Sequence, residues 1–471
     1  MGVPCVYVVA ENFEHDAKSG ANDNGMPTQR QVKMAKYYWH IPPEESTPIA
    51  ESHFEEIITA LTIPLTPEEI NPPQVRRASS PPVRITAIHY ADAVEKFQKL
   101  FNDNRWSDGL AIIPPTREAV DLMLTGTSRS RNEVIGPVKA KNGIATIENI
   151  AINAVMAGAS PAYLPVIIAA MEGLIHPDFD LLHPQASLGG FELAIWVSGP
   201  MAAELDMNFR DRLWTYGNRA NSSIGRAIIL CRINLGHMWP GINDMARTRS
   251  VPYTNYTFAE NNVDVNLWQP YHTIQGFKPE DSCVSVSTVS QGTMTIYGGK
   301  TANDQINNVI SRILSRREAV FAQYNPDIAN PRAHPTKHVF MITPELADDL
   351  AASGYTQESL RNYIYESACV PYEQLSPYEI KTIQIRIDQS IAGRGIFSDQ
   401  LPPDRVPVWE KGLKPGGKVP VLVTPEDLHF VVVGAAQGKS ITGWSYLRAP
   451  YTWSSHHTTR IKSATLTKAG R

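Results

Sequence analysis

The sequence predicts an α/β protein: an incomplete small N-terminal α/β unit followed by a large mixed α/β domain. Three observations carry this. Short apolar runs bounded by turn residues alternate with segments of helical periodicity. The stretch NPPQVRRASSPPVR at residues 71–84 is too rich in Pro, Ser and Arg to pack and reads as a linker. The chain has 471 residues of which 42% are apolar, enough for a large core and for more than one domain.

In chain order, residues 1–70 read as strand, helix, strand and helix. Val3–Ala10 is an apolar run with the character of a buried strand, Lys33–His40 is a second, weaker run, and Ala50–Leu61 places Ile57, Ile58 and Leu61 on one helical face. After the linker, residues 85–330 form the main domain. Ala91–Asn102 is helical, and Leu110–Ile113 reads as a buried strand ending at Pro114-Pro115. Thr116 then caps the next helix. Residues 143–174 give two apolar helices separated by Gly158 and Ser160-Pro161. Residues 192–200 and 282–297 read as strands, Gly298-Gly299-Lys300 as a turn, and Asp304–Phe321 as a helix. Residues 331–471 make a C-terminal α/β part closing on the main domain, with strand, loop and helix over 337–369, strands at 419–423 and from His429, and a polar, loosely held tail.

A net charge of −4 gives no electrostatic reason for nucleic-acid or anionic-membrane binding. No apolar run reaches the ~20 residues that span a bilayer, and the N-terminus lacks the features of a signal peptide. Cysteines 5, 231, 283 and 369 stand alone, with no C-x-x-C and no zinc spacing, which suits a reducing cytoplasm. Gly438-Lys439-Ser440 follows a strand, but its spacing is not that of a P-loop.

The most informative segment is Gly217–Gly236, GNRANSSIGRAIILCRINLG. Ser222 and Ser223 can cap the helix, so that its first N–H groups and the guanidiniums of Arg219 and Arg226 face one spot with Asn221, a site for an anion or a carbonyl oxygen. The other reading of the same residues is a capped helix with solvated arginines. Glu148, Asn153 and Glu172 interrupt apolar surroundings. Glu148 is either a site carboxylate or a first-turn residue favoured by the helix dipole. Glu260 and Asn261 follow an aromatic run, and Thr116, Lys439 and Ser440 lie on loops beyond strands, where α/β proteins bind ligands. Adjacent His456-His457 lacks a third ligand to make a metal site, and no metal is expected.

The segments GVPCVYVVAENFEHDA, DGLAIIPPT, GIATIENIAINAVMAGASPAYLPVIIAAME, GNRANSSIGRA, FAENN, ITPELADDLAASGYT and PEDLHFVVVGAAQGKS, in this order, resemble the UGSC family of (seleno)proteins over nearly the whole length. The resemblance implies a Cys or Sec in a UGSC or CGSC loop at a helix start, acting as nucleophile or reductant. This chain contains neither string, and Cys5 lies in the strand that would follow that helix. The motif half is then a separate small polypeptide, or cut away, or lost; the apolar edge of Val3–Ala10 favours a separate partner.

Three functions follow as expectations. The first is a subunit of a thiol- or selenol-dependent redox enzyme acting on a small polar or anionic substrate. There the Cys or Sec comes from a small α/β partner, or the missing strands from another copy of the chain. Arg219, Arg226, Asn221 and Asn153 bind substrate, and Glu148 or Glu260 is the acid or base. The second is a hydro-lyase or hydrolase, with or without a divalent metal, using Glu148, Asn153, His183, Glu260 and His429. The third is a non-catalytic scaffold subunit, which dispersal of Glu148, Asn221, Arg226 and Glu260 over unrelated surfaces would favour. The cofactor, if any, is not specified by the sequence.

Overall fold

The computed structural model describes residues 5–23, 25–35, 43–72, 82–186, 191–214, 216–244, 246, 254–265, 267–297, 301–315, 338–393, 401–434, 443–448 and 456–462. The chain is mixed α/β, and no described helix is long and apolar enough to cross a membrane. It divides into two compact units, Met1–Val94 with Ala140–Asn142, and most of the remainder.

In the first unit, β1 (Tyr7–Ala10) pairs in parallel with β2 (Gln31–Met34), in the register Tyr7↔Gln31 to Ala10↔Met34. The helix Glu14–Asp23 connects them. Val9, Ala10, Val32 and Met34 are buried, but Tyr7 and Val8 are each 39% exposed. The run expected to be a buried strand is therefore exposed in its first described half. Residues 36–42 of the second expected run lie outside the described residues. The expected Ala50–Leu61 helix is two helices, Pro43–Ser52 and Phe54–Thr62. Arg30 fastens the next turn: it donates to the carbonyls of Ala60, Ile63 and Pro64 and pairs with Glu69 at 2.6 Å. Glu69 also closes a capping box with Thr66, and the guanidinium of Arg30 with the Thr66 amide brings its carboxyl down to about 2.

The first strands of the second unit are the hairpin of β3 (Val134–Val138) and β4 (Gly143–Thr146). Its centre is a seven-stranded sheet. The strands are β5 (Phe191–Ser198), β6 (Tyr256–Ala259), β7 (Cys283–Tyr297), β8 (His338–Ile342), β11 (Leu428–Val432), β12 (Gly443–Arg448) and β13 (His456–Arg460). The remaining pair, β9 (Cys369–Pro371) and β10 (Lys418–Pro420), stands apart. The order is β11-β8-β12-β7-β5-β6, with β13 also on β7. β5 with β6 and β8 with β11 are parallel; the pairings that involve β7 or β12 are antiparallel. Residues 85–330 and 331–471 thus share one sheet.

Alternation along the strands sorts the core into two faces. Val339, Met341, Val431 and Val433 pack with Ala194, Trp196, Phe258 and Tyr271. Phe340, Ile342, Leu428, Phe430 and Val432 pack with apolar positions of the helices Ala302–Leu314, Pro344–Ala352, Gln357–Ser367 and Pro377–Ile391. Within the same unit, the helices Ile147–Met156 and Leu164–Ile175 form as expected: Thr146 caps the first and Gly158 follows its end.

Three local expectations are corrected. Leu110–Ile113 is not a strand: the side chain of Gln98 donates to the carbonyl of Ile112 and accepts from its amide, replacing a ladder partner. The polar C-terminal tail is not wholly loose, since His456–Arg460 is β13, paired from His456↔Ser287 to Arg460↔Cys283. The helix Arg219–Asn234 is capped by Asn218 rather than by a serine, its side chain accepting from the Asn221 amide at 2.8 Å.

Candidate functional site

The residues expected to form one site are held apart by protein partners. Nε and an Nη of Arg226 donate to both oxygens of Asp108, at 2.8 and 2.9 Å, and its guanidinium also reaches the Ala111 carbonyl. Arg219 donates twice to the Gly158 carbonyl, at 3.2 and 3.1 Å. Asn221, 3% exposed, donates to the Asn208 carbonyl and accepts from the Asn208 amide. Ser223 donates to the Arg219 carbonyl within the helix. The shared anion site expected at the start of this helix is not assembled by these contacts.

The others are likewise engaged in local structure. Glu148 pairs with Arg131 at 2.5 Å near the surface. Asn153 is buried, donating to the Asn149 carbonyl and accepting from Asn234. Thr116 caps the helix Arg117–Leu124. Asn261 ties the sheet together: its amide donates to the Val432 carbonyl at 2.7 Å and its side chain to the Gly434 carbonyl at 2.7 Å. Glu172 pairs with Arg129. Lys439, Ser440 and the side chain of His183 lie outside the described residues.

Glu260 is the exception. It follows β6 directly, beside the end of β5, and its amide donates to the Val197 carbonyl at 2.8 Å. Its side chain, 1% exposed, accepts from the Tyr271 amide at 2.9 and 3.0 Å. Burial raises its carboxyl from 4.5 to about 7; the Ser198 and Asn262 side chains and the Tyr271 and Val432 amides act in the opposite direction without cancelling it. A carboxyl in this range exchanges its proton near neutral pH.

Glu260 opens on a cavity of about 250 Å³. Gly199 and Pro200 after β5, Ala202 and Ala203, Phe209, Asn262 and Val263 after Glu260, and Pro270, His272 and Pro279 complete its walls. The cavity therefore lies at the carboxyl ends of the parallel strands β5 and β6, where α/β sheets bind ligands. Gly199 turns the chain out of β5 at φ +98, and a Cβ there would meet the Asp281 carbonyl oxygen at 2.3 Å. His272 is 1% exposed, and neither ring nitrogen makes a hydrogen bond of good geometry, although both lie in a backbone environment formed by Lys278 and Pro279. Burial lowers its pKa, so the ring is neutral and offers one donor and one acceptor. The buried Nδ2 of Asn262 and Oγ of Ser198 face the Glu260 carboxyl and hold its pKa down, but make no hydrogen bond of good geometry. A polar group of this kind is costly to bury and is retained at sites that meet it with a ligand or water.

Behind this wall, Tyr271 is pinned. Its hydroxyl lies 2.7 Å from Nδ1 of His429 and 2.9 Å from Nε2 of His456, and the two imidazoles stack at 4.4 Å. The hydroxyl has one proton, so it donates to one ring and accepts from the other. The backbone of Tyr271 holds Glu260 while its side chain is fixed to β11 and β13. His429 was an expected acid–base residue; its Nδ1 meets this tyrosine and its ring stacks on His456. His457 stacks on His176 at 3.9 Å instead of joining His456, and no group of metal-ligating side chains is present among the described residues.

His272, Asn262 and Ser198 were not singled out from the sequence. Each is a lone polar residue at the end of a short apolar element, without the spacing of a motif. Three of the four thiols are unsuited to nucleophilic work in place: burial raises Cys283 to about 12, Cys369 to about 11, and Cys231 further still, while Cys5 is exposed. No family model, no curated protein and no solved structure matches this chain.

Proposed function

We propose that this chain is a general acid–base enzyme of the hydro-lyase or hydrolase class, with Glu260 as the proton carrier. His272 and Asn262 hold a small polar substrate in the cavity beside it. The observation that carries this is a buried carboxyl raised to about 7 beside a small cavity whose other polar side chains, His272 and Asn262, keep nitrogens without a hydrogen bond of good geometry. The dispersal of Glu148, Asn221 and Arg226 counts toward the scaffold reading. Glu260 counts against it, because a scaffold gains nothing from a buried carboxyl on a cavity.

The test is a titration and an assay. In infrared difference spectra a protonated carboxyl band should titrate near pH 7 in the wild type and be missing in Glu260→Gln. In a screen of small amides, esters and hydroxy compounds, any turnover found should fall by about 10²–10⁴-fold in that variant. A Glu260 already ionised at about pH 5, the ordinary range of an exposed carboxyl, would remove the basis of the reading.

A partner subunit is a second reading, resting on β1. Among the described residues β1 has only β2 as neighbour, and a two-stranded sheet is marginal by itself. The exposed Tyr7 and Val8 are then the surface a partner strand covers, whether from a small Cys- or Sec-bearing α/β polypeptide or from another copy. In the redox form of this reading the thiol or selenol comes from that polypeptide, and the burial of Cys231 and Cys283 supports a source outside this chain. Native mass spectrometry with light scattering checks it: a monomer at micromolar concentration with no second polypeptide would exclude it.

A further inference from the structure

The Glu260 cavity carries an electrostatic signature that specifies what it takes. Among the described residues lining it, none is Lys or Arg; Glu260 is its one acid and His272 is kept neutral by burial. The nearest guanidinium over a lining ring is that of Arg210, 5.4 Å above Phe209, and it pairs with Asp264 at 3.3 Å. No described helix of eight residues or more begins at the wall: the two that do, Met201–Glu204 and Tyr271–Ile274, have four residues each and no side-chain cap. Fixed positive charge, the ordinary requirement for holding a carboxylate or a phosphate, is therefore missing from these walls.

What the walls do offer is balanced. Glu260 accepts when ionised and donates when protonated, His272 presents one donor and one acceptor, and Asn262 presents an N–H donor. The rest is aliphatic or aromatic: Pro, Ala, Gly, Val and Phe. The volume lies below the 300–1,000 Å³ of drug-sized sites and holds a molecule of about ten non-hydrogen atoms or fewer.

We infer that this cavity binds a small uncharged or cationic molecule through an amide, amine or hydroxyl group, and discriminates against carboxylates and phosphates. The inference deepens the acid–base reading, which supplies the site. A neutral amide pairs with His272 and Asn262 in either state of Glu260, and an ammonium pairs with the carboxylate. An anion meets the carboxylate with no counter-charge, and it ties up the proton of the carboxylic acid.

Acetamide and acetate are nearly isosteric, so the pair isolates charge; methylammonium is the third probe. Binding is read from the His272 ring signals in proton–nitrogen correlation spectra, assigned with His272→Gln. Acetamide or methylammonium should shift them, with acetate binding at least about tenfold more weakly. The shifts should vanish in Ala203→Trp, which fills the mouth from an exposed position and so leaves the core undisturbed. Acetate binding as tightly as acetamide, or no shift from any probe at concentrations up to about 0.1 M, well above the millimolar range expected of the weakest ligands, would overturn the inference. Following the Glu260 carboxyl in the same samples separates the two claims. If it titrates near pH 7 while acetate prevails, the substrate class is wrong and the acid–base reading stands. If it is ionised throughout, the acid–base reading falls and the probe ranking still decides the ligand class.

Discussion

The amino end of the helix Arg219–Asn234 and the carboxyl end of β6 hold similar materials and use them differently. At the helix, two arginines and two asparagines face Asp108, Gly158, Asn208 and Asp206, so each described polar contact closes on the protein itself. At β6, Glu260, His272 and Ser198 are buried, and His272, Ser198 and the half-buried Asn262 keep donors or acceptors without a protein hydrogen bond of good geometry. Charge density in a sequence marks places where a chain must be tied together as readily as places where it binds. Unmet hydrogen-bonding capacity in a buried cavity is the sharper signal of a site, and it exists only after folding.

The comparison breaks most visibly at the helix. Gly225 packs where a Cβ would stand 1.6 Å from the Thr254 carbonyl oxygen, so Gly225→Ala should cost about 3 kcal/mol or more in chemical denaturation. Asp108→Asn comes next. It leaves the guanidinium of Arg226, whose side chain is 16% exposed, without its carboxylate, and should cost about 2–3 kcal/mol, measured the same way. An unchanged midpoint in that variant would mean that Arg226 is free to bind a ligand after all.

Glu260→Gln should act oppositely and with pH. In the unfolded chain the carboxyl titrates near 4.5, and in the folded chain near 7, so the folded state retains the proton over that interval. The wild type is therefore at its best below the lower value and loses stability as pH rises through the higher one, where the buried group must ionise. Gln carries no charge and escapes this loss. The variant should match the wild type near about pH 4.5 and exceed it by on the order of 2–3 kcal/mol at about pH 9, read from denaturation midpoints at both. A constant difference across that range would place the Glu260 pKa at its ordinary value.

The smallest effect is expected at Arg219. Its guanidinium holds one carbonyl at the exposed surface, and Arg219→Lys should change stability by less than about 1 kcal/mol. If Arg219 belongs to no substrate site, any turnover found for the protein should also persist in that variant.

Much of the fold was legible because local rules act locally. Thr116 was placed beside a helix start by its own side chain, and Gly158 at a helix end. The runs 192–198 and 428–432 are apolar on both sides because both faces of the sheet are covered. Leu110–Ile113 misled because an apolar run before prolines fits a strand, and only Gln98, fourteen positions away in the chain, supplied its backbone partners. The tail misled because HHTTR has no strand-like hydrophobicity, yet β7 offered it an edge.

For the candidate site, the sequence by itself determined that Glu260 and Asn261 follow an apolar strand; folding puts Glu260 on a cavity and ties Asn261 to the carbonyls of Val432 and Gly434. It determined the apolar strands of the central sheet and the Thr116 cap, since each follows from composition and spacing within a few residues. Only the tertiary structure decided which charges neutralise one another. Asp108 with Arg226, and Arg131 with Glu148, are pairs set by packing. So is the placing of Glu260 on the Tyr271 amide and on one cavity with His272, both from an element with no motif of its own. Whether a buried polar group is satisfied depends on atoms brought within about 3 Å by the whole fold, and no local pattern encodes that distance.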